Sequence, residues 1–171
     1  SHTMGPMRAA YRFVHELAAD QLLENVTQIF VDLYGSLALT GRGHGTDRAI
    51  LLGLSGETPD RVDPDQVDRK VRQIREAQSL SLDGRHAITF REDEHLRFRV
   101  DKSLAFHSNG IRFTALDASG ARIARKTYFS VGGGFIVAEN EIGQLADASQ
   151  RLRVPYPFSN AAELLVPDAV A

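Results

Sequence analysis

Apolar residues recur at helical spacing early in the chain and at strand spacing late in it. Met7, Ala10, Val14, Leu17 and Ala18 share one helical face. Thr3 or Gly5 suits the cap ahead of them and Pro6 the first turn, which predicts an amphipathic helix to about Leu23. A strand is expected over Ile29 to Tyr34, then a loop with Gly35, Gly41, Gly43 and Gly45, then a helix from Thr46. Glu57 to Pro64 is polar, carries two prolines and reads as a loop. From Asp65 to Gln78 a narrow stripe of Val67, Val71 and Ile74 runs among charges, which predicts a surface helix with a solvated face rather than a binding patch.

From His86 the period shifts to two. His86 to Phe90, Leu96 to Val100, Ile111 to Leu116 and Arg122 to Val131 read as strands, with a hairpin turn at Asp117 to Gly120 and a short last strand at Phe135 to Ala138. Helix, strand, two helices and then a run of strands predict an α+β domain with helices on one face of a mixed sheet. That domain is expected over 1–140. Residues 141–171 lose periodicity, are punctuated by Pro155, Pro157 and Pro167, and read as a tail or linker toward a domain absent from this chain. No internal repeat or low-complexity tract is visible.

Composition narrows the partners more than the fold. With 171 residues, 43% of them hydrophobic, the chain suits one domain with a real core. A net charge of -2 gives no general attraction to nucleic acid or to an acidic membrane surface, so small molecules or protein are the expected partners. Apolar runs such as Ala49 to Leu52 are too short to span a bilayer and the start has no signal-like pattern, so a cytoplasmic location is expected. There are no cysteines, which removes disulfides, thiol nucleophiles and thiolate metal sites; no metal ligand set is expected in this chain.

The stretch VDLYGSLALTGRGHGTD, residues 31–47, holds the densest candidate chemistry. A glycine-rich loop running into a helix start brings backbone N–H groups and partial positive charge to one place, which suits a small anion. His44 in that loop could donate to a carboxylate or move a proton near neutral pH. The plainer alternative is a strand-to-helix turn with a surface histidine, and Asp47 in the first helical turn weighs against an anion. Ser1, His2 and Thr3 stand before the first helix, where a cap or a frayed end is the simpler reading. His107-Ser108-Asn109-Gly110 reads first as a turn. Gly132 to Gly134 lack a Walker ending, so nucleotide binding is poorly supported; they fit a close backbone approach or a bulge.

Five separated motifs, SHTMGPM (1–7), VDLYGSLALTGRGHGTD (31–47), FHSNG (106–110), KTYFSVGGGF (126–135) and PYPF (155–158), together resemble the β domain of bacterial iron-sulfur-dependent L-serine dehydratase (L-serine ammonia-lyase). The resemblance covers nearly the whole chain in order. It implies a domain similar in fold to the allosteric substrate-binding domain of phosphoglycerate dehydrogenase. It also implies a separate α domain holding a [4Fe-4S] cluster with its own cysteines, L-serine as substrate, pyruvate and ammonia as products, and a homodimer. By the same resemblance Ser1, His2 and Thr3 hold the substrate carboxylate, His44 is the acid/base with Thr46 beside it, and Asn109 and Lys126 are further substrate-binding candidates. The family pattern carries Gly-Pro-Ser-Ser ahead of Ser-His-Thr, which leaves open whether residues before Ser1 complete the site. A regulatory or dimerising amino-acid-binding module without catalysis of its own is the alternative.

Overall fold

A computed structural model describes residues 3–102, 104 and 109–144. The chain divides into two compact units, 1–137 and 138–171. In the first, α1 (Met4–Ala19) is followed by β1 (Gln28–Tyr34), α2 (Ser36–Thr40), α3 (Thr46–Leu54), α4 (Val67–Ala77), β2 (Ser79–Leu82), β3 (His86–Thr89), α5 (Glu92–His95), β4 (Leu96–Arg99), β5 (Gly110–Leu116), β6 (Arg122–Gly132) and β7 (Phe135–Ala138), the last reaching the boundary. In the second, a 3-10 turn over Glu139–Glu141 is closed by Glu141 Oε1, which accepts from the Ala138 N–H at 3.0 Å. The expected tail from 141 falls mostly outside the described residues.

The architecture is α+β, as expected. Five strands form one sheet in the order β4-β1-β5-β6-β7, and β2 and β3 form a separate antiparallel ribbon. The sheet is mixed: β1 runs parallel to β4, with Val31 opposite Leu96, and antiparallel to β5, with Val31 opposite Phe113. Strand alternation then sorts the side chains. Ile29, Val31 and Leu33 of β1 and Ile111, Phe113 and Ala115 of β5 are fully buried on the helix-covered face. Phe13 of α1 stacks on Phe113 at 5.1 Å between ring centres, and Tyr128 meets Phe113 edge-on at 5.9 Å. Each such buried side chain contributes about 2 kcal/mol.

The other face mixes charges with aromatic rings, Arg97 lying over Phe30 and Arg112 over Tyr34. Asp32, almost fully buried, receives two hydrogen bonds from Arg97 at 2.8 and 2.9 Å and one from Arg99 at 2.8 Å. Arg112 donates to Thr127 at 2.9 Å along the neighbouring strand pair. These pairs cross two strand junctions, β4–β1 and β5–β6, and help pin their register.

Helices α1 and α3 cross through Gly53. A Cβ there would lie 2.3 Å from the Met7 carbonyl oxygen and 2.7 Å from Ala10 Cβ, so the crossing tolerates no side chain. Helix α4 presents its charges outward with only Val71 buried, and Lys70 pairs with Glu57 and Arg48 with Asp68.

Four local expectations are corrected. The first helix stops at Ala19 instead of Leu23, because Gln21 takes a positive φ of 60° and the chain turns. The glycine loop contains α2, made possible by Gly35 at φ 62°, which swings the chain out of β1. Strand β2 and helix α5 were absent from the periodicity. Gly132, Gly133 and Gly134, with φ of 104°, 63° and 81°, form the β6–β7 turn, a conformation that strains any side chain. That same turn approaches α1 closely: Gly134 O accepts from Arg8 at 2.7 Å. Among the described residues no helix is long and apolar enough to cross a membrane.

Candidate functional site

Two helix starts meet at one end of the sheet. Thr3 is the N-cap of α1, which has no acidic residue in its first turn. Gly45, at φ 77°, is the N-cap of α3 and follows His44 directly. The two caps are neighbours: a Cβ built on Gly45 would lie 3.7 Å from Thr3 Cγ2. Each start points the positive end of a helix dipole toward the junction, while at α3 the Gly45, Thr46 and Arg48 N–H groups are taken by Arg42 O, Gly41 O and the Asp47 carboxylate.

The His44 loop is held from below. The Thr46 N–H donates to Gly41 O at 2.8 Å and the His44 N–H is shared between Thr40 O and Gly41 O, both at 3.2 Å. Thr46 is fully buried, with its Cβ 3.2 Å from where a Gly41 Cβ would lie. His44 itself is exposed above this support. Asp47, the residue that weighs against an anion, is turned to other work: its carboxylate accepts from the Arg48 N–H at 2.9 Å and pairs with Arg75 at 3.1 Å. Arg75 also holds Glu92 at 2.6 Å, and these carboxylates raise its pKa, Glu92 most strongly.

The start of α1 is seated on β6. A Gly5 Cβ would fall 2.3 Å from Ser130 Oγ, so only glycine lets the helix sit there. The Ser130 N–H donates to Asn109 O at 2.9 Å, and Asn109 Oδ1 receives the Ser36 hydroxyl at the head of α2. Thr3, Gly5, Ser130, Asn109 and Ser36 thus form a chain of contacts, and Gly45 brings the His44 loop to its Thr3 end.

The structure therefore gathers Thr3, the His44 loop and Thr46 around one junction and joins Asn109 to it through Ser130. Lys126 is elsewhere. It pairs with Glu16 at 3.3 Å in the second half of α1. Four residues of strand separate it from Ser130, about 13 Å. Burial alone would raise the Glu16 pKa, but hydrogen bonds from Arg12 and Lys126 outweigh it and hold the carboxyl below its ordinary range. Ser1, His2 and His107 lie outside the described residues. Ser36 and Ser130 were not singled out from sequence, and Gly5 only as a possible helix cap; the one local signal was Ser36, a hydroxyl following a glycine directly at a strand end.

The sequence has no cysteine, and among the described residues no three histidine or carboxylate side chains are grouped so as to hold a metal ion.

The family model for the serine dehydratase beta chain matches residues 1–141. The chain belongs to that family. It is 44% identical over 165 residues to an L-serine dehydratase of Streptomyces coelicolor, and 46% identical over 166 residues to L-serine dehydratase 1 of Escherichia coli. A third family relative, an L-serine dehydratase of Haemophilus influenzae, is 40% identical over 166 residues. In all three the similarity covers 96% of this chain and 36% of the relative. This member of the beta-chain family thus spans about a third of the length of the relatives it matches.

Proposed function

We propose that this chain is the substrate-side part of a cytoplasmic L-serine dehydratase, and that the rest of the protein carries the [4Fe-4S] cluster. The observation that carries the reading is the adjacency of the α1 and α3 caps at Thr3 and Gly45, in a chain whose relatives are L-serine dehydratases.

The reaction removes the α-proton and the β-hydroxyl of L-serine as water; the aminoacrylate left behind tautomerises to an imine, which water converts to pyruvate and ammonia. Two demands of that sequence fall to this chain. The substrate carboxylate must be held still, a role that falls to Thr3 and the start of α1, with the dipole of α3 beside them. A proton must be moved at a weakly acidic carbon, which is the work of His44, exposed on a loop that its backbone bonds keep in place. Thr46 supports that loop from beneath. Ser1 and His2 extend the carboxylate site, Asn109 adds a contact to it, and Lys126 serves α1 through Glu16.

Support for a further domain comes from the surface. Among the described residues the exposed large apolar side chains are Met4, Leu39, Val100, Val131 and Phe135, and all five lie at the end of the sheet where the caps meet. An apolar rim around a polar junction is the mark of a surface that another body covers. The occupant we assign is the remainder of the enzyme.

The test is pyruvate formation from L-serine by the full-length protein, prepared without oxygen and with its iron and sulfide reconstituted. Turnover is expected, and His44→Ala should lower kcat by about 10²-fold or more. No pyruvate despite an intact cluster would overturn the assignment and leave an amino-acid-binding module.

A further inference from the structure

The hydrogen bonds around His44 stay inside its own loop. The His44, Gly45 and Thr46 N–H groups bond back to the carbonyls of Thr40, Gly41 and Arg42, and the Arg42–Gly45 bond at 3.3 Å closes a turn around His44. Behind His44 the chain is anchored by α3, which crosses α1 at Gly53. Ahead of it, Gly41 and Arg42 rest on Phe98. That residue lies on the edge strand β4 opposite Leu33, which puts its half-buried ring on the helix-covered side of the sheet. The Arg42 guanidinium carbon is 4.4 Å from the centre of the ring, and a Cβ built on Gly41 would lie 3.3 Å from Phe98 Cε1. The same Cβ would lie 2.2 Å from Leu37 O and 3.2 Å from Thr46 Cβ. Gly41 has φ -57° and ψ -42°, which any residue adopts, so the closeness of these neighbours is what calls for glycine.

We propose that Phe98 is a positioning residue for His44: its ring seats Gly41 and stacks against the Arg42 guanidinium, which fixes the His44 loop against the edge of the sheet. The inference rests on the L-serine dehydratase reading above, with His44 as the group that moves the proton. An aromatic face carries partial negative charge and attracts a guanidinium, which an aliphatic side chain does not. Arg42 passes that hold to His44 through the turn that its carbonyl closes. Phe98 touches no substrate in this scheme; it acts through Gly41 and Arg42. A small misplacement of a reacting group costs up to about 10²-fold in rate, whereas the carboxylate is held by Thr3 and the start of α1. Loss of the ring should therefore appear in kcat and spare KM.

The test uses the full-length enzyme with L-serine, with rates taken per bound cluster. Phe98→Leu should lower kcat roughly tenfold with little change in KM, and Phe98→Tyr, which keeps the ring, should retain most of the rate. Arg42→Met should lower kcat as well, and adding it to Phe98→Leu should cost little more, because the two side chains act as one unit. In a His44→Ala background Phe98→Leu should cost nothing further, since no imidazole is left to place; a ring needed only for packing would cost the same in both backgrounds. Arg42 is exposed, so Arg42→Met with the same His44→Ala comparison answers the question even where Phe98→Leu does not fold. A wild-type kcat in Phe98→Leu or Arg42→Met, an equal loss with and without His44, or a loss confined to KM would overturn the role of Phe98 alone. A wild-type enzyme that makes no pyruvate, or a His44→Ala enzyme with wild-type kcat, would overturn the reading beneath it and this inference with it.

Discussion

The two ends of the five-stranded sheet are built in opposite ways. At the end where β1 finishes, two helix caps meet, glycines hold positive φ, and five large apolar side chains stand in solvent. At the end where β1 begins, the polar groups described are matched within the chain, His95 Nε2 excepted. The Asp117 carboxylate takes the Ser119 and Ala121 N–H groups and the Ser119 hydroxyl. Thr27 N–H donates to Leu116 O at 2.9 Å, and His86 bonds to Val26 O at 2.8 Å. His95 is buried between Phe30 and Phe90, with the Arg91 N–H on its Nδ1. The second end is finished by its own sequence. The first brings two helix starts and five exposed apolar side chains together, and it is there that the proposed site lies.

The contrast can be broken first at the crossing that sets the open end. Gly53→Ala adds a methyl group against the Met7 carbonyl, which cannot move without α1, and should destabilise the chain by about 2 kcal/mol in chemical denaturation even though alanine is the better helix former. A neutral result would mean that the helices yield freely and that the cap junction is not rigid.

A smaller effect belongs to the finished end. The Arg91 N–H on Nδ1 leaves the His95 proton on Nε2, which lies 3.2 Å from Glu94 Oε2 without the alignment of a hydrogen bond. Burial lowers the His95 pKa, opposed by the nearby Glu94 charge. Below the ordinary histidine value of about 6.5 the unfolded chain therefore takes up a proton that the folded chain resists. Stability should be full above that pH and decline as pH falls below it, and His95→Gln should flatten the decline below about pH 6.5. An unchanged slope in that variant would remove His95 as the cause.

The smallest effect on stability, and the sharpest contrast, is expected at the rim. Phe135→Ser should change the stability of this chain by no more than about 0.5 kcal/mol, because the ring is 68% exposed. In the full-length enzyme the same change should reduce turnover. Loss of stability in the chain alone would show that the ring is part of its own core.

Most of the fold was legible in the chain's periodicity, and the misses share a cause. In β5 the buried Ile111, Phe113 and Ala115 alternate with Arg112 and Thr114, so period and burial agree. Helix α2 has five residues, too few for a period to show, and β2 is four residues of alternating serine and leucine directly after a charged helix. The site divides the same way. His44 and the start of α3 follow from local glycine spacing. The meeting of Thr3 with Gly45 depends on a helix crossing at Gly53, and no local pattern reports which helices cross. Lys126 sits opposite Phe113 on the helix-covered face, where a long side chain must reach out along α1 to find a charge, and Glu16 supplies one.

Gly53 also makes α1 a lever. From the crossing at Ala10 to the cap at Thr3 is seven residues, about 10 Å of helix. A tilt of about 10° at that fulcrum would swing the cap by roughly 2 Å, and a misplacement of about 1 Å already matters to a reacting group. The far arm, where Glu16 and Lys126 are joined, lies beyond that crossing from the Thr3 cap, so a displacement there would move the cap in the opposite sense.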